Sequence, residues 1–242
     1  MIQSNFNSSH FTHGFVYDCQ QTESHEIFAH LQHLFSLDEG WIYATSSQYH
    51  SDVILDVDED FRNRTVPSGK QNSNVHQFGG CVGDGDALIT SQKRILLCTR
   101  TADCVPILLY NSDQVAVVHA GWRGIANEIL PKCIAKMSSV DGAIVGPCIS
   151  QKNYEVDIDV IDAFEKVGLS RKNVAEEYRD DCDQQKFLLN VAEAIHIQLN
   201  KNGLTSRQIE FVDECTFDSH RFHSYRRDGI KAGRNWSCIG LL

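Results

Sequence analysis

Two side chains able to do chemistry together stand fifteen residues apart: Cys104, which closes Thr-Ala-Asp-Cys at 101–104, and His119, which opens His-Ala-Gly-Trp-Arg-Gly at 119–124. A thiolate and an imidazole brought to one edge can hold zinc, or can act as a nucleophile with its base. A catalytic zinc site takes three protein ligands and leaves the fourth position to water or substrate, so a third ligand is required. His50 and His76 are the options; His50 directly precedes an apolar run, whereas His76 lies in a polar stretch, and spacing leans towards His50. The competing reading of the pair is plain packing, because cysteine is among the most buried residue types.

The elements that must position the pair are readable as apolar runs. Those at 105–110 and 114–119 are expected to form neighbouring strands joined by a turn at 110–114, which carries Cys104 and His119 to one edge. Further strands are expected at 41–44, 53–57, 87–90, 94–99, 143–145, 209–212 and 236–241. Helices are expected at 24–37, 124–137, 159–167 and 190–202, the last followed by Gly203 in the C′ position. Pro131 should kink or restart the second of these. His25, His30 and His33 lie mainly off the apolar stripe of the first helix and read as surface histidines. The stretch 58–85, rich in Asp, Asn, Ser and Gly, reads as a loop-like insertion. Several strands are joined by connections too short for a helical crossover, so the sheets are partly antiparallel. The chain is thus expected to be a single α/β (α+β) domain over residues 1–242, without internal repeats.

Composition narrows the function classes. The 242 residues with 42% hydrophobic content suffice for a sizeable core, and no apolar run approaches the ~20 residues of a membrane span. The polar start of the chain lacks the basic and apolar regions of a secretory signal, which argues for the cytoplasm. Nine cysteines without Cys-x-x-Cys spacing then read as reduced thiols. A formal charge of -10 with no basic run beyond Arg226-Arg227 speaks against nucleic-acid binding, since phosphate neutralisation supplies most of that affinity. A small neutral or anionic substrate held by one or two arginines fits. Gly80, Gly83 and Gly85 lack the order of a dinucleotide fingerprint, and no phosphate-loop motif occurs. Asp84-Gly85-Asp86 resembles the start of a calcium loop, but its twelfth position is Ile95 instead of glutamate.

Five motifs together carry a resemblance. Thr-Ala-Asp-Cys-Val-Pro-Ile-Leu at 101–108, Val-Val-His-Ala-Gly-Trp-Arg-Gly at 117–124, Gly-Pro-Cys-Ile at 146–149, Cys-Thr at 215–216 and Ser-Tyr-Arg-Arg-Asp-Gly at 224–229 are similar, in that order, to the YfiH-like family. Its members have been called multicopper polyphenol oxidases or laccase-domain proteins and are regarded as purine nucleoside phosphorylases. The resemblance implies a layered α/β/β/α fold. It also implies a zinc ion held by His50, Cys104 and His119, because Gln48-Tyr49-His50-Ser51 matches the family's first histidine element and the surroundings of His76 do not. Copper is an alternative occupant, although the chain has no His-x-His pair and only two methionines, both remote from the motifs.

The implied substrates are a purine nucleoside, adenosine or inosine in type, and phosphate, with adenosine deamination as a second activity. In this reading Cys104 and Asp103 are catalytic, Asp103 shuttling protons, while Gln48, Arg123, Arg226 and Arg227 bind substrate. The bland alternatives are a turn-capping carboxylate for Asp103, a structural salt bridge for Arg123, a solvated pair for Arg226 and Arg227, and core packing for Trp122. The chain departs from the family pattern near its start, where the arginine of a Thr-Arg-x-Gly-Gly-Val-Ser element has no counterpart. Two other function classes stay open: a metal-free Cys-His hydrolase or deamidase with Cys104 as nucleophile, and a catalytically silent binding protein.

Overall fold

A computed structural model describes residues 10–17, 24–65 and 79–242. In chain order its first half contains β1 (Phe11–Val16), α1 (Ser24–Phe35), β2 (Ile42–Ser47), β3 (Ile54–Asp56), α2 (Glu59–Thr65), β4 (Gly80–Asp84), β5 (Ala87–Thr90), β6 (Ile95–Thr101), β7 (Val105–Tyr110) and β8 (Val115–Ala120). There follow α3 (Trp122–Ala126), α4 (Ile129–Lys136), β9 (Gly142–Val145), β10 (Glu155–Val156), α5 (Ile158–Lys166), α6 (Arg171–Val174), β11 (Ala175–Arg179), β12 (Gln185–Leu189), α7 (Val191–Lys201), β13 (Ile209–Phe211), α8 (Tyr225–Asp228) and β14 (Asn235–Leu241).

Two large mixed sheets run in the orders β1-β14-β6-β2-β4 and β13-β9-β7-β8-β5-β3, and β10-β12-β11 form a small third sheet. The central strands are buried on both faces, so each reads as a continuous apolar run in which the two-residue alternation divides side chains between two cores. From β7, Leu108 and Tyr110 point into the space between the sheets, where they meet Phe11, Phe15, Ile42, Leu97 and Ile239 of the opposite sheet. Ile107 and Leu109 point the other way, onto Ile129 and Leu130 of α4, Phe164 of α5 and Ile195 of α7. The outer face of the first sheet is covered by Phe28, Leu31 and Phe35 of α1, which pack on Leu96, Trp236 and Cys238. The result is the expected α/β/β/α layering, and each fully buried aliphatic side chain contributes ~1.5–3 kcal/mol to it.

Most expected elements recur with shifted ends, and the differences have local causes. The stretch 58–85 is not uniformly loop. It opens with α2, whose start is capped by Asp58 Oδ1 accepting from Phe61 N at 3.0 Å, and Phe61 is drawn into the space between the sheets. It closes with β4, a Gly-rich edge strand that pairs in parallel with β2 across a register shift. His76 lies outside the described residues, as do the positions between these two elements. The expected helix 124–137 is two helices, and the break sits at Glu128, which adopts φ 59. Pro131 lies in the first turn of α4, where its missing N–H costs nothing. α7 has Asn190 as its N-cap, accepting from Glu193 N at 2.9 Å, and Gly203 follows with φ 95. β1 and β10 to β12 had no expectation attached. Among the described residues no helix is long and apolar enough to cross a membrane.

Candidate active site

The antiparallel pairing of β7 with β8 sets Val105 opposite Ala120 and Pro106 opposite His119. One step further along the same register, Cys104 approaches Gly121. A Cβ on Gly121 would lie 2.5 Å from His50 Cδ2 and 3.1 Å from Cys104 Sγ, so this position admits glycine alone. The third strand end is that of β2. Three residues beyond it the chain turns at His50, which holds φ 61, a conformation uncommon for residues other than glycine.

Asp86 pins this turn. Its carboxylate accepts from the N–H groups of Tyr49 (3.2 Å), His50 (3.1 Å) and Ser51 (2.7 Å) and from Ser51 Oγ (2.6 Å). The same carboxylate contacts His119 Nδ1 at 2.7 Å, and the Asp86 carbonyl accepts from His119 N at 2.7 Å. One buried acid therefore fixes both histidines and commits the His119 ring to present Nε2 on its other side.

His50, Cys104 and His119 each offer one ligand atom, all within 4.8 Å of one another. His50 Nε2 and Cys104 Sγ are 3.6 Å apart, and the two imidazole rings meet at 63° with centroids 4.9 Å apart. Zinc–sulfur bonds of ~2.3 Å and zinc–nitrogen bonds of ~2.0–2.1 Å at tetrahedral angles separate sulfur from nitrogen by about 3.6 Å. The donor set and its spacing fit zinc. Burial acts to raise the Cys104 thiol, but the His119 charge beside it and hydrogen bonds from His119 and His50 outweigh that and bring it to about 6. Burial acts oppositely on His119, which the Cys104 charge and the Asp86 carboxylate nonetheless hold up at about 9. Asp86 is kept far below the usual carboxylate range despite its burial, through its hydrogen bonds with His119 and Ser51.

These three residues form part of the wall of a cleft of about 740 Å³. Gln48, Asp103, Arg123 and Arg226 line it as well, so seven of the eight residues singled out from the sequence converge. Arg227 does not line it. Its guanidinium donates to the carbonyls of Thr216, Phe217 and Phe222 and to the Asp228 carboxylate, and it is spent on holding the loop before α8. Asp103, buried with φ 91, accepts from Thr216 Oγ1 at 2.6 Å and from Arg226 N at 2.7 Å, which ties α8 to the start of β7. Gln48 is clamped to the backbone of Arg100, donating to its carbonyl (2.8 Å) and accepting from its N–H (3.0 Å). Arg123 stacks over Trp122 with 4.4 Å to the ring centroid, and Arg226 stacks over Tyr154 at 5.1 Å.

Contributors that the sequence reading did not single out include Asp86, Arg100, Tyr154 and Arg234. Asp86 carries a signal, an acid directly before an apolar strand, but the glycines around it read as a turn and its calcium-loop likeness fails at Ile95. Arg100 stands one residue before Thr-Ala-Asp-Cys and Arg234 just before the last strand, with nothing local to join them.

Residues 11–242 match the family described as multi-copper polyphenol oxidoreductase laccase. The chain belongs to this family. Laccase-family relatives include a Bacteroides thetaiotaomicron protein named purine nucleoside phosphorylase, 37% identical over 164 residues that make up 64% of this chain and 60% of that one. Bacillus subtilis purine nucleoside phosphorylase YlmD is 29% identical over 78% of this chain and 70% of its own length. Among solved structures, a Neisseria meningitidis protein is similar with a TM-score of 0.71 and 29% identity, covering 88% of this chain and 79% of that one. Bacillus licheniformis YfiH shares the fold with a TM-score of 0.73, over 96% of this chain and 93% of its own. The laccase-family name notwithstanding, the described residues hold one cluster able to bind a metal ion, the His50, Cys104 and His119 group.

Proposed function

We propose that this chain is a zinc-dependent purine nucleoside phosphorylase acting on nucleosides of the adenosine and inosine type, with adenosine deamination as a second activity of the same cleft. The observation that carries the reading is the juxtaposition of a His50, Cys104 and His119 donor set, braced by Asp86, with arginines lining the same wall. The phosphorylase names of the relatives support the reaction class.

In phosphorolysis, an oxygen of phosphate attacks the anomeric carbon of the ribose while the glycosidic bond breaks and the purine leaves with the bonding pair and a proton. Arg123 and Arg226 supply charge-assisted hydrogen bonds to the phosphate and lower the cost of bringing this anion to the sugar. Tyr154, stacked under Arg226 with its hydroxyl kept protonated by burial, offers a neutral donor in the same wall. The proton that leaves with the purine comes from the attacking dihydrogen phosphate, and Asp103, oriented by its bonds to Thr216 and Arg226, is the carboxylate that can relay it. Gln48 contributes by holding the turn that carries His50. For deamination, a zinc ion held by His50, Cys104 and His119 would supply Lewis-acid activation of water.

Chromatography of adenosine and inosine incubated with zinc-loaded protein, with and without phosphate, tests this directly. Release of free base that requires phosphate supports phosphorolysis, conversion of adenosine to inosine supports deamination, and no conversion in either arm rejects both. A second reading, a metal-free hydrolase or deamidase, is favoured by the Cys104 thiol lying at hydrogen-bond distance from His50 with its acidity raised by His119. Purified protein free of zinc, with hydrolytic activity lost in Cys104→Ser, would favour it.

A further inference from the structure

The four arginines of the cleft, Arg100, Arg123, Arg226 and Arg234, make no ion pair with a carboxylate among the described residues, in a chain of net charge -10. Arg227, by contrast, is paired with Asp228. The contacts of the four are backbone carbonyls and aromatic faces, which leave their charge uncompensated. Arg226 Nη2 donates to the Glu155 carbonyl, and Arg234 Nη1 donates to the carbonyls of Ala232 and Gly233.

Arg100 differs from the other three in one respect. Its Nη2 donates to the Ser46 carbonyl at 3.1 Å and its guanidinium carbon lies 5.7 Å from the Trp236 ring centroid, but its Nε is buried and has no acceptor. A buried donor on a charged group is rarely left unpaired, because it has lost its water without gaining a partner. The surroundings fix the backbone that carries this guanidinium. β14 pairs Trp236 directly opposite Arg100, and the Gln48 side chain bonds both the N–H and the carbonyl of Arg100. His50 follows Gln48 by two residues, so the clamp that fixes Arg100 also ties it to the turn bearing a metal ligand.

We propose that Arg100 is an anion-holding residue of this cleft, its cleft-lining guanidinium donating to an oxygen of inorganic phosphate. Taking phosphate as the anion rests on the phosphorylase reading; the need for an acceptor at Arg100 does not.

The test uses zinc-loaded full-length protein with inorganic phosphate as probe. Arg100→Gln is expected to weaken phosphate binding in calorimetry on the order of 10–100-fold, the range for one charge-assisted hydrogen bond, with zinc content unchanged. Arg100→Lys should recover only part of the loss, because an ammonium lacks the planar fork. Arg179→Gln, at an exposed arginine paired with Asp183, should leave binding as it was. Phosphate affinity of Arg100→Gln within twofold of the parent, at equal zinc content, overturns the proposal. Should Arg100→Gln not fold, phenylglyoxal adducts mapped on the unaltered chain decide: phosphate slows modification at Arg100 and not at Arg179, and equal rates at both overturn the proposal. The two readings fail separately. Phosphate binding that depends on Arg100 without any nucleoside conversion removes the phosphorylase and keeps the anion seat. Phosphorolysis whose KM for phosphate is untouched by Arg100→Gln keeps the phosphorylase and removes the seat.

Discussion

Asp86 does more for the site than any ligand does alone, because one carboxylate sets the turn at His50 and the ring of His119 together. Replacing Asp86 with Asn keeps the size but removes the charge and one acceptor. Asp86→Asn is expected to weaken zinc binding by about 10–100-fold in competition with a chromophoric chelator. An unaltered affinity would remove Asp86 from the site. Gly121→Ala tests the closeness of the cluster differently: its new Cβ collides with His50 and Cys104, so zinc content measured by mass spectrometry should drop sharply while far-ultraviolet circular dichroism is retained. At this scale the sequence was readable where a residue type announces its chemistry, as cysteine and histidine do. It was not readable for Arg227, whose type suggested an anion contact and whose donors are consumed by carbonyls of the preceding loop and by the Asp228 carboxylate.

The β7-β8 hairpin brings Cys104 and His119 together, and its hold comes from the two cores it faces. Leu108 is fully buried between the sheets, so Leu108→Ala should cost about 2–5 kcal/mol in urea unfolding through the cavity it leaves. Asn190→Ala, which removes the N-cap of α7 at a residue that does not line the cleft, should cost only about 1 kcal/mol in the same measurement. Elements with strong apolar periodicity, β7, β8, α5 and α7, were legible to within a residue or two. α2 and β4 were not, since seven and five residues of mostly polar or Gly-rich sequence take their structure from partners: Phe61 from the space between the sheets and β4 from the edge of β2.

Across the whole molecule, a metal ion at the proposed site would link the cleft to the stability of the layered core. A metal that binds only the folded chain stabilises it by about 4 kcal/mol when present at a thousand times its dissociation constant. Stripping the proposed zinc should therefore lower Tm on the order of 10 °C, given the entropy of unfolding of a chain this long, and readdition should restore it. A Tm indifferent to chelation would count against a resident metal. The sequence by itself determined which runs are buried on both faces, which helices carry an apolar stripe, and that Cys104 and His119 end adjacent strands, because these follow from local period and turn length. Only the tertiary structure decided that Asp86 braces both histidines, that Arg100 and Arg234 join Arg123 and Arg226 in one cleft, and that Arg227 does not. Those contacts join residues from separate strands and loops, many of them 30 or more positions apart. Local pattern encodes the shape of each element, while the register between elements chooses its neighbours.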